Sequence, residues 1–207
     1  MTEQQKPDAL TTCSPEQVYN ALWKAWLAFY GVPPHREQLL VVVAHWAFET
    51  AWGHGMHCFN LGNFKWTPGC GFDFVEFRAS EVVQGREVFS VMRFKAYTSL
   101  DAGAADYLTR LVAEFRKAWP AVQAADAVDF CHQLKLQGYY TADEGVYTRG
   151  LTGCLAQLQR LLPAPAEAPT QPDLRVVAQG AVQQAAATIP MAEHDDDLPD
   201  PPTGSAA

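Results

Sequence analysis

Residues 45–66 read HWAFETAWGHGMHCFNLGNFKW. A run rich in apolar residues passes here into a segment punctuated by Gly53, Gly55 and Gly62, so a helix is predicted to end in a loop within this stretch. One carboxylate, Glu49, stands among Trp46, Phe48 and Trp52 at the point of exit. Apolar surroundings and the negative end of a helix dipole both disfavour an ionised carboxylate. A glutamate in such a place is suited to keep a proton near neutral pH and donate it to a leaving oxygen.

Working outward, Ser14-Pro15-Glu16-Gln17 is a capping box with proline at the first helical position, opening a helix that Gly31 and Pro33 close. The helix carrying Glu49 is predicted from about Arg36 to Ala51. Its apolar positions Leu39, Val42, Val43, Trp46 and Thr50 recur at helical spacing and put Glu49 at the border of that face. Residues 72–78 and 86–94 mix aromatic and β-branched residues and read as a short antiparallel hairpin turning near Gln84-Gly85. Ser99 caps a helix to about Phe115, another runs from about Ala127 to Gln137 with Gly138 as its cap, and a last one covers Tyr147 to Leu162. The class is α+β, mainly α, with a small antiparallel β-lobe.

Of 207 residues, 48% are hydrophobic and 12% aromatic, enough for one well-buried domain. Three segments are expected: a flexible N-terminus (1–13), the domain (14–162), and a disordered tail rich in Pro, Ala and acidic residues (163–207). The tail holds seven acidic residues and one basic one, and so supplies six of the eight net negative charges. The nearly neutral body has no basic stripe to match a phosphate backbone, so nucleic acid is excluded as a partner. The N-terminus, MTEQQKPDAL, has neither the basic nor the apolar region of a Sec signal, and no apolar run is long enough for a membrane span. Five irregularly spaced cysteines read as reduced thiols: Cys13, Cys131 and Cys154 as small buried hydrophobes, and Cys58 and Cys70 as unpaired. His45 and Glu49 stand one turn apart, but the spacing lacks the paired histidines of a zinc helix, so no metal or cofactor is expected.

Three segments resemble one family in order and spacing. Glu49-Thr50-Ala51-Trp52-Gly53 leading into Asn60-Leu61-Gly62-Asn63-Phe64-Lys65, then RFKAYTSLDAGAADY at 93–107, then QGYYTADEGVYTRGL at 137–151, are similar to motifs of the glucosaminidase family of peptidoglycan hydrolases, glycoside hydrolase family 73. The chain differs in having Gly62 before the aromatic rather than after it. Its turn from Gly138 to Tyr147 is also two residues longer and lacks a proline. The resemblance covers about residues 15–162 and implies a lysozyme-like fold and cleavage of the β-1,4 glycan strand of peptidoglycan.

It further implies Glu49 as general acid, Glu81 as the β-lobe carboxylate with Glu76 and Glu87 as neighbouring rivals, and Tyr147 as the active-site tyrosine. Trp52, Asn60, Asn63, Phe64, Tyr139 and Tyr140 are candidates to line the sugar groove. Core packing for the aromatics and Asx-turns for the asparagines are the competing uses. The chain is expected to be made in the cytoplasm without a Sec signal and to act as a monomer in the periplasm or wall of a target bacterium. Phage lysis or a secretion route would bring it there, with room for an immunity or delivery partner. The rival functions are a lytic transglycosylase and a non-catalytic wall-binding or adaptor module.

The composition change after Leu162 generates a test. Deleting residues 163–207 should leave melting temperature and muropeptide release from purified sacculi largely intact, because the segment lacks the apolar content to pack against the body. A large fall in melting temperature on truncation would contradict it.

Overall fold

The computed structural model describes residues 3–83 and 86–162, and the side chains among them except those of 80–83, 86 and 87. The chain divides into two units, Met1–Ala164 and Pro165–Ala207, and every described element belongs to the first. The elements follow in the order α1 (Pro15–Tyr30), α2 (Arg36–Glu49), β1 (Asp73–Val83), β2 (Arg86–Ala96), α3 (Leu100–Ala113), α4 (Trp119–Gln123), α5 (Ala127–Leu136) and α6 (Glu144–Leu161). This is the mainly helical plan with a small β-lobe.

Local chemistry sets several boundaries. Ser14 Oγ accepts from Gln17 N while Gln17 Oε1 accepts from Ser14 N, the reciprocal capping box of α1. Gly31 ends that helix at φ 71°, donating to Leu27 O. Ser99 caps α3 through Ala102 N. The end of α6 is closed from outside: the Arg36 guanidinium, at the start of α2, donates to the carbonyls of Gln159 and Leu162. A cation there offsets the negative end of the helix dipole.

Helix α2 departs from the expected amphipathic pattern. Every residue from Leu39 to Ala47 is buried, because α1, α4 and α6 all pack on it. A helix with no solvent face shows no single apolar stripe. The β-branched run Val41-Val42-Val43 is a modest helix former, so this helix owes its stability to burial. It also ends at Glu49 rather than Ala51: Thr50 caps it through Trp46 O, and Ala51 and Trp52 follow in the left-handed region at φ 47° and 61°.

The hairpin is longer than expected, pairing Asp73 with Ala96 through to Val83 with Arg86. Ala79-Ser80-Glu81 lacks strand propensity, and pairing with β2 carries β1 past it. Gln84 and Gly85, the predicted turn, lie outside the described residues. Cys58, Val75, Phe94 and Ala96 form a small separate core at the base of the lobe. Helix α4, unforeseen, is five residues with proline in its first turn. Helix α6 starts a turn earlier than predicted, since Asp143 accepts from Val146 N and makes Glu144 the first helical residue.

Residues 3–13 differ from the expected flexible lead. The backbones of Gln4 and Lys6 bond to Phe74 on the open edge of β1, and Ala9 and Thr11 bond to Cys58 and Met56. Lys6 pairs with Asp73 and Asp8 with His57. An open strand edge and a loop both carry backbone groups that need partners, and this strap supplies them.

Two glycines in helices make opposite predictions. A Cβ on Gly103 in α3 would stand 2.1 Å from the carbonyl oxygen of Phe59, whereas one on Gly153 in α6 would meet nothing within 4 Å. Gly103→Ala should therefore destabilise by about 1–3 kcal/mol through overpacking against backbone. Gly153→Ala should stabilise by about 0.5–1 kcal/mol through helix propensity. Thermal denaturation of the two variants checks the packing of α3 on the 57–62 loop, and equal melting temperatures would refute it.

Candidate active site

Glu49 is the last residue of α2, and its side chain is 18% exposed, so it is shielded yet reachable. Tyr147, in the first turn of α6, donates its phenolic proton to Glu49 Oε1 at 2.5 Å. Glu49 Oε2 makes no hydrogen bond among the described residues. The helix end itself is held by Asn63, whose Nδ2 donates to the Glu49 carbonyl at 2.8 Å. Thr50 organises the exit: its hydroxyl donates to Trp46 O and accepts from Gly53 N, and its carbonyl accepts from Gly55 N.

The Tyr147 ring is fixed on two sides. Tyr140 stacks on it at 3.6 Å with the rings nearly parallel, and Phe48 meets it edge-on at 4.8 Å. Gly150, one turn on in α6, makes room for Phe48, since a Cβ there would come within 2.2 Å of that ring. Burial first, and the nearby Glu49 charge second, push the phenols of Tyr147, Tyr107 and Tyr139 well up. All three keep their protons at any physiological pH and can serve as donors.

Beneath Tyr147 lies His45, wholly buried and one turn before Glu49 on the same helix. Its Nε2 is 3.0 Å from Tyr147 Oη and 3.6 Å from Glu49 Oε1, and its Nδ1 is hydrogen-bonded to Tyr107 Oη. In the sequence, His45 stands out for its spacing to Glu49, which lacks the paired histidines of a zinc helix. Its role depends on a pair of tyrosines distant in the chain, brought to the ring by α3 and α6.

The other candidates divide. Asn60 is 1% exposed and spends its whole side chain internally: Nδ2 donates to Phe64 O and Lys95 O, and Oδ1 accepts from Phe64 N. That is loop-building, the Asx-type use. Phe64 is buried against Tyr107 in the main core. Tyr139 donates to Gly62 O and Tyr140 to Cys131 O, so both anchor loops while their rings stand beside His45 and Tyr147 respectively. Trp52 is half-buried against the main core.

Asn63 faces a recess of about 260 Å³ that it shares with Gly55, Lys65, Phe77, Ala79, Met92 and Phe94, between the Glu49 exit loop and the hairpin. A larger recess, about 520 Å³, lies by the N-terminal strap among Glu3, Phe72, Asp73 and Tyr97, and contains none of the groups around Glu49. The smaller one adjoins the Glu49 site through Asn63. Glu76 is tied to Arg93 at 2.6 Å and contacts Gln5, so it is engaged within the lobe. The Glu81 and Glu87 side chains lie outside the described residues, although the Glu81 backbone is paired opposite Val88.

In the segment from Phe94 to Asp106, three polar side chains fasten one element to another. Lys95, 3% exposed, donates to Asp106 Oδ2 at 3.0 Å, and Tyr97 donates to the same oxygen. These bonds fasten the hairpin base to α3, with the Lys95 ammonium also over the Phe72 ring.

No family model matches the chain, and no curated protein does. Solved structures do. A mutant of a peptidoglycan hydrolase from Sphingomonas sp. A1 is 27% identical, over 71% of this chain and 96% of its own, with a TM-score of 0.56. A second structure of a peptidoglycan hydrolase from that organism is also 27% identical, over 75% of this chain and 96% of its own, with a TM-score of 0.52. A truncated glycoside hydrolase domain of FlgJ from Salmonella typhimurium is 24% identical over 71% and 99%, with a TM-score of 0.49. The chain thus shares the fold of the Sphingomonas peptidoglycan hydrolases, and the three segments that are similar to motifs of glycoside hydrolase family 73 run in order through the Glu49 site and its supports.

Proposed function

We propose that the chain is an endo-β-N-acetylglucosaminidase that cleaves the β-1,4 bond between N-acetylglucosamine and N-acetylmuramic acid in peptidoglycan. The observation that carries this reading is the asymmetry of the Glu49 carboxyl: Oε1 accepts the Tyr147 hydrogen bond, while Oε2 is left for substrate. Protonated on Oε2, Glu49 gives its proton to the glycosidic oxygen as the bond to the anomeric carbon breaks. The carboxylate that remains is stabilised by the Tyr147 hydroxyl at Oε1, a charge-assisted hydrogen bond that strengthens as charge develops.

Glu81 is the proposed second carboxylate, activating the water that adds to the anomeric carbon. Its place on β1 puts it in the lobe that borders the groove. Inverting and retaining routes require the two carboxyls about 6.5–9.5 Å or about 5–5.5 Å apart. Asn63 and Trp52 are proposed to meet the sugar. Tyr139 and Tyr140 serve by holding the loop and the Tyr147 ring. The enzyme is proposed to be lytic, a phage lysin or a secreted antibacterial effector, working in the wall of a target bacterium. No described helix is long and apolar enough to cross a membrane.

Muropeptide release from purified sacculi, analysed by mass spectrometry, tests the assignment. Glu49→Gln keeps size and hydrogen bonding but has no proton to give, so turnover should vanish with little change in melting temperature. Glu81→Gln should cost about 100 to 10,000 fold if Glu81 is the base. Near-normal activity there would move the reaction to attack by the substrate's own acetamido oxygen. Glu76→Gln, which keeps one oxygen to accept from Arg93 and loses the charge of that pair and the longer bond from Gln5, should stay close to wild type. An active Glu49→Gln enzyme would end the general-acid reading, and 1,6-anhydromuramic products would make the protein a lytic transglycosylase.

A further inference from the structure

The ring of His45 is buried with both nitrogens hydrogen-bonded, and the donors in this cluster can be assigned by counting protons. A phenol has one. Tyr147 gives its proton to Glu49 Oε1, because a carboxyl oxygen without hydrogen can only accept. Toward His45, therefore, Tyr147 Oη must accept, which puts a hydrogen on His45 Nε2. A neutral ring with hydrogen on Nε2 has a bare Nδ1, and Tyr107 must then donate to it. Every bond points one way: Tyr107 to His45, His45 to Tyr147, Tyr147 to Glu49.

The groups packed around the ring leave little else to set this order. Tyr107 comes from α3, Phe130 edge-on from α5, Tyr139 from the segment after α5, and Tyr147 from α6. Glu49, on the ring's own helix, is the carboxyl group that faces it. The opposite ring tautomer would present a bare Nε2 to Tyr147. The phenol would then turn its proton to the histidine, and Glu49 Oε1 would lose its donor.

We propose that His45, held in one tautomer by Tyr107, is a positioning residue that aims the Tyr147 hydroxyl at Glu49 Oε1 and so reserves Oε2 for the donated proton. This rests on the reading of Glu49 as the general acid. It adds two residues, His45 and Tyr107, that never touch substrate yet set the proton geometry. A buried chain of this kind acts on the chemical step and leaves sugar binding alone.

The test measures kcat and KM on soluble glycan strands, with melting temperature, for His45→Gln, His45→Leu and Tyr107→Phe. The glutamine amide reaches the place of Nε2 and can still donate to Tyr147, so His45→Gln should keep kcat within about threefold. His45→Leu removes that donor, and Tyr107→Phe removes only the oxygen that fixes the tautomer. Both should lower kcat by about tenfold or more with KM little changed. A folded His45→Leu protein with normal kcat would overturn the proposal, as would a glutamine variant no better than leucine. If His45→Leu fails to fold, Tyr107→Phe decides alone: its ring is kept, and a wild-type kcat would refute the chain. Loss of the general-acid reading shows separately, as residual turnover in Glu49→Gln.

Discussion

Among the nine consecutive buried residues of α2 stands His45, whose two ring nitrogens both call for hydrogen-bond partners inside the core. An unpaired imidazole in such a core would cost on the order of 1–3 kcal/mol for each orphaned nitrogen. Two tyrosines meet that demand, and they come from different elements, α3 and α6. The same requirement that brings those helices to the ring brings Tyr147 to the end of α2, where Glu49 emerges. The architecture of the site is thus a by-product of solvating one buried ring with protein.

Much of what resembles a catalytic motif is scaffolding once the contacts are known. Asn60 folds the loop between the Glu49 exit and the hairpin and ties it to Lys95. Lys95 and Tyr97 share the Asp106 carboxylate, which locks the hairpin base onto α3. Ser99 caps that helix, and Gly103 lets it approach the Phe59 carbonyl. Each residue type is demanded by geometry: an amide to bridge three backbone groups, a buried cation that must be paired, a glycine where a Cβ has no room.

The legible parts of the sequence were those governed by neighbours in the chain. Ser14, Gly31 and Ser99 act within a turn of their own positions, so caps and helix limits there could be read directly. Glu49 was legible because its aromatic setting is local, and Tyr147 because a resemblance supplied the distant partner. The contacts of Asn60 and Phe64 with the interior could not be read, since an asparagine in a glycine-rich loop looks exposed until the hairpin folds over it. The full burial of α2 was hidden for a similar reason: three other helices cover it, and none is adjacent in pattern to the residues it hides. Helix α4 was too short to show a period, and the strap at residues 3–11 forms only because β1 offers an open edge.

These contacts divide the enzyme's work between two cores. In the proposed mechanism Glu49 is oriented by Tyr147, His45 and Tyr107, all buried among the helices, together with Asn63 on the exit loop. The hairpin that carries Glu81 rests on a separate small cluster around Val75 and Phe94, joined to the helices through the Lys95, Tyr97 and Asp106 bonds. Packing holds the first arrangement from several directions, whereas a two-stranded lobe has marginal stability of its own and relies on its base. The carboxyl proposed as proton donor is therefore held by the protein's own packing. In the proposed mechanism, what a bound strand can still adjust is the distance from the hairpin to the anomeric carbon, on the side of the attacking group.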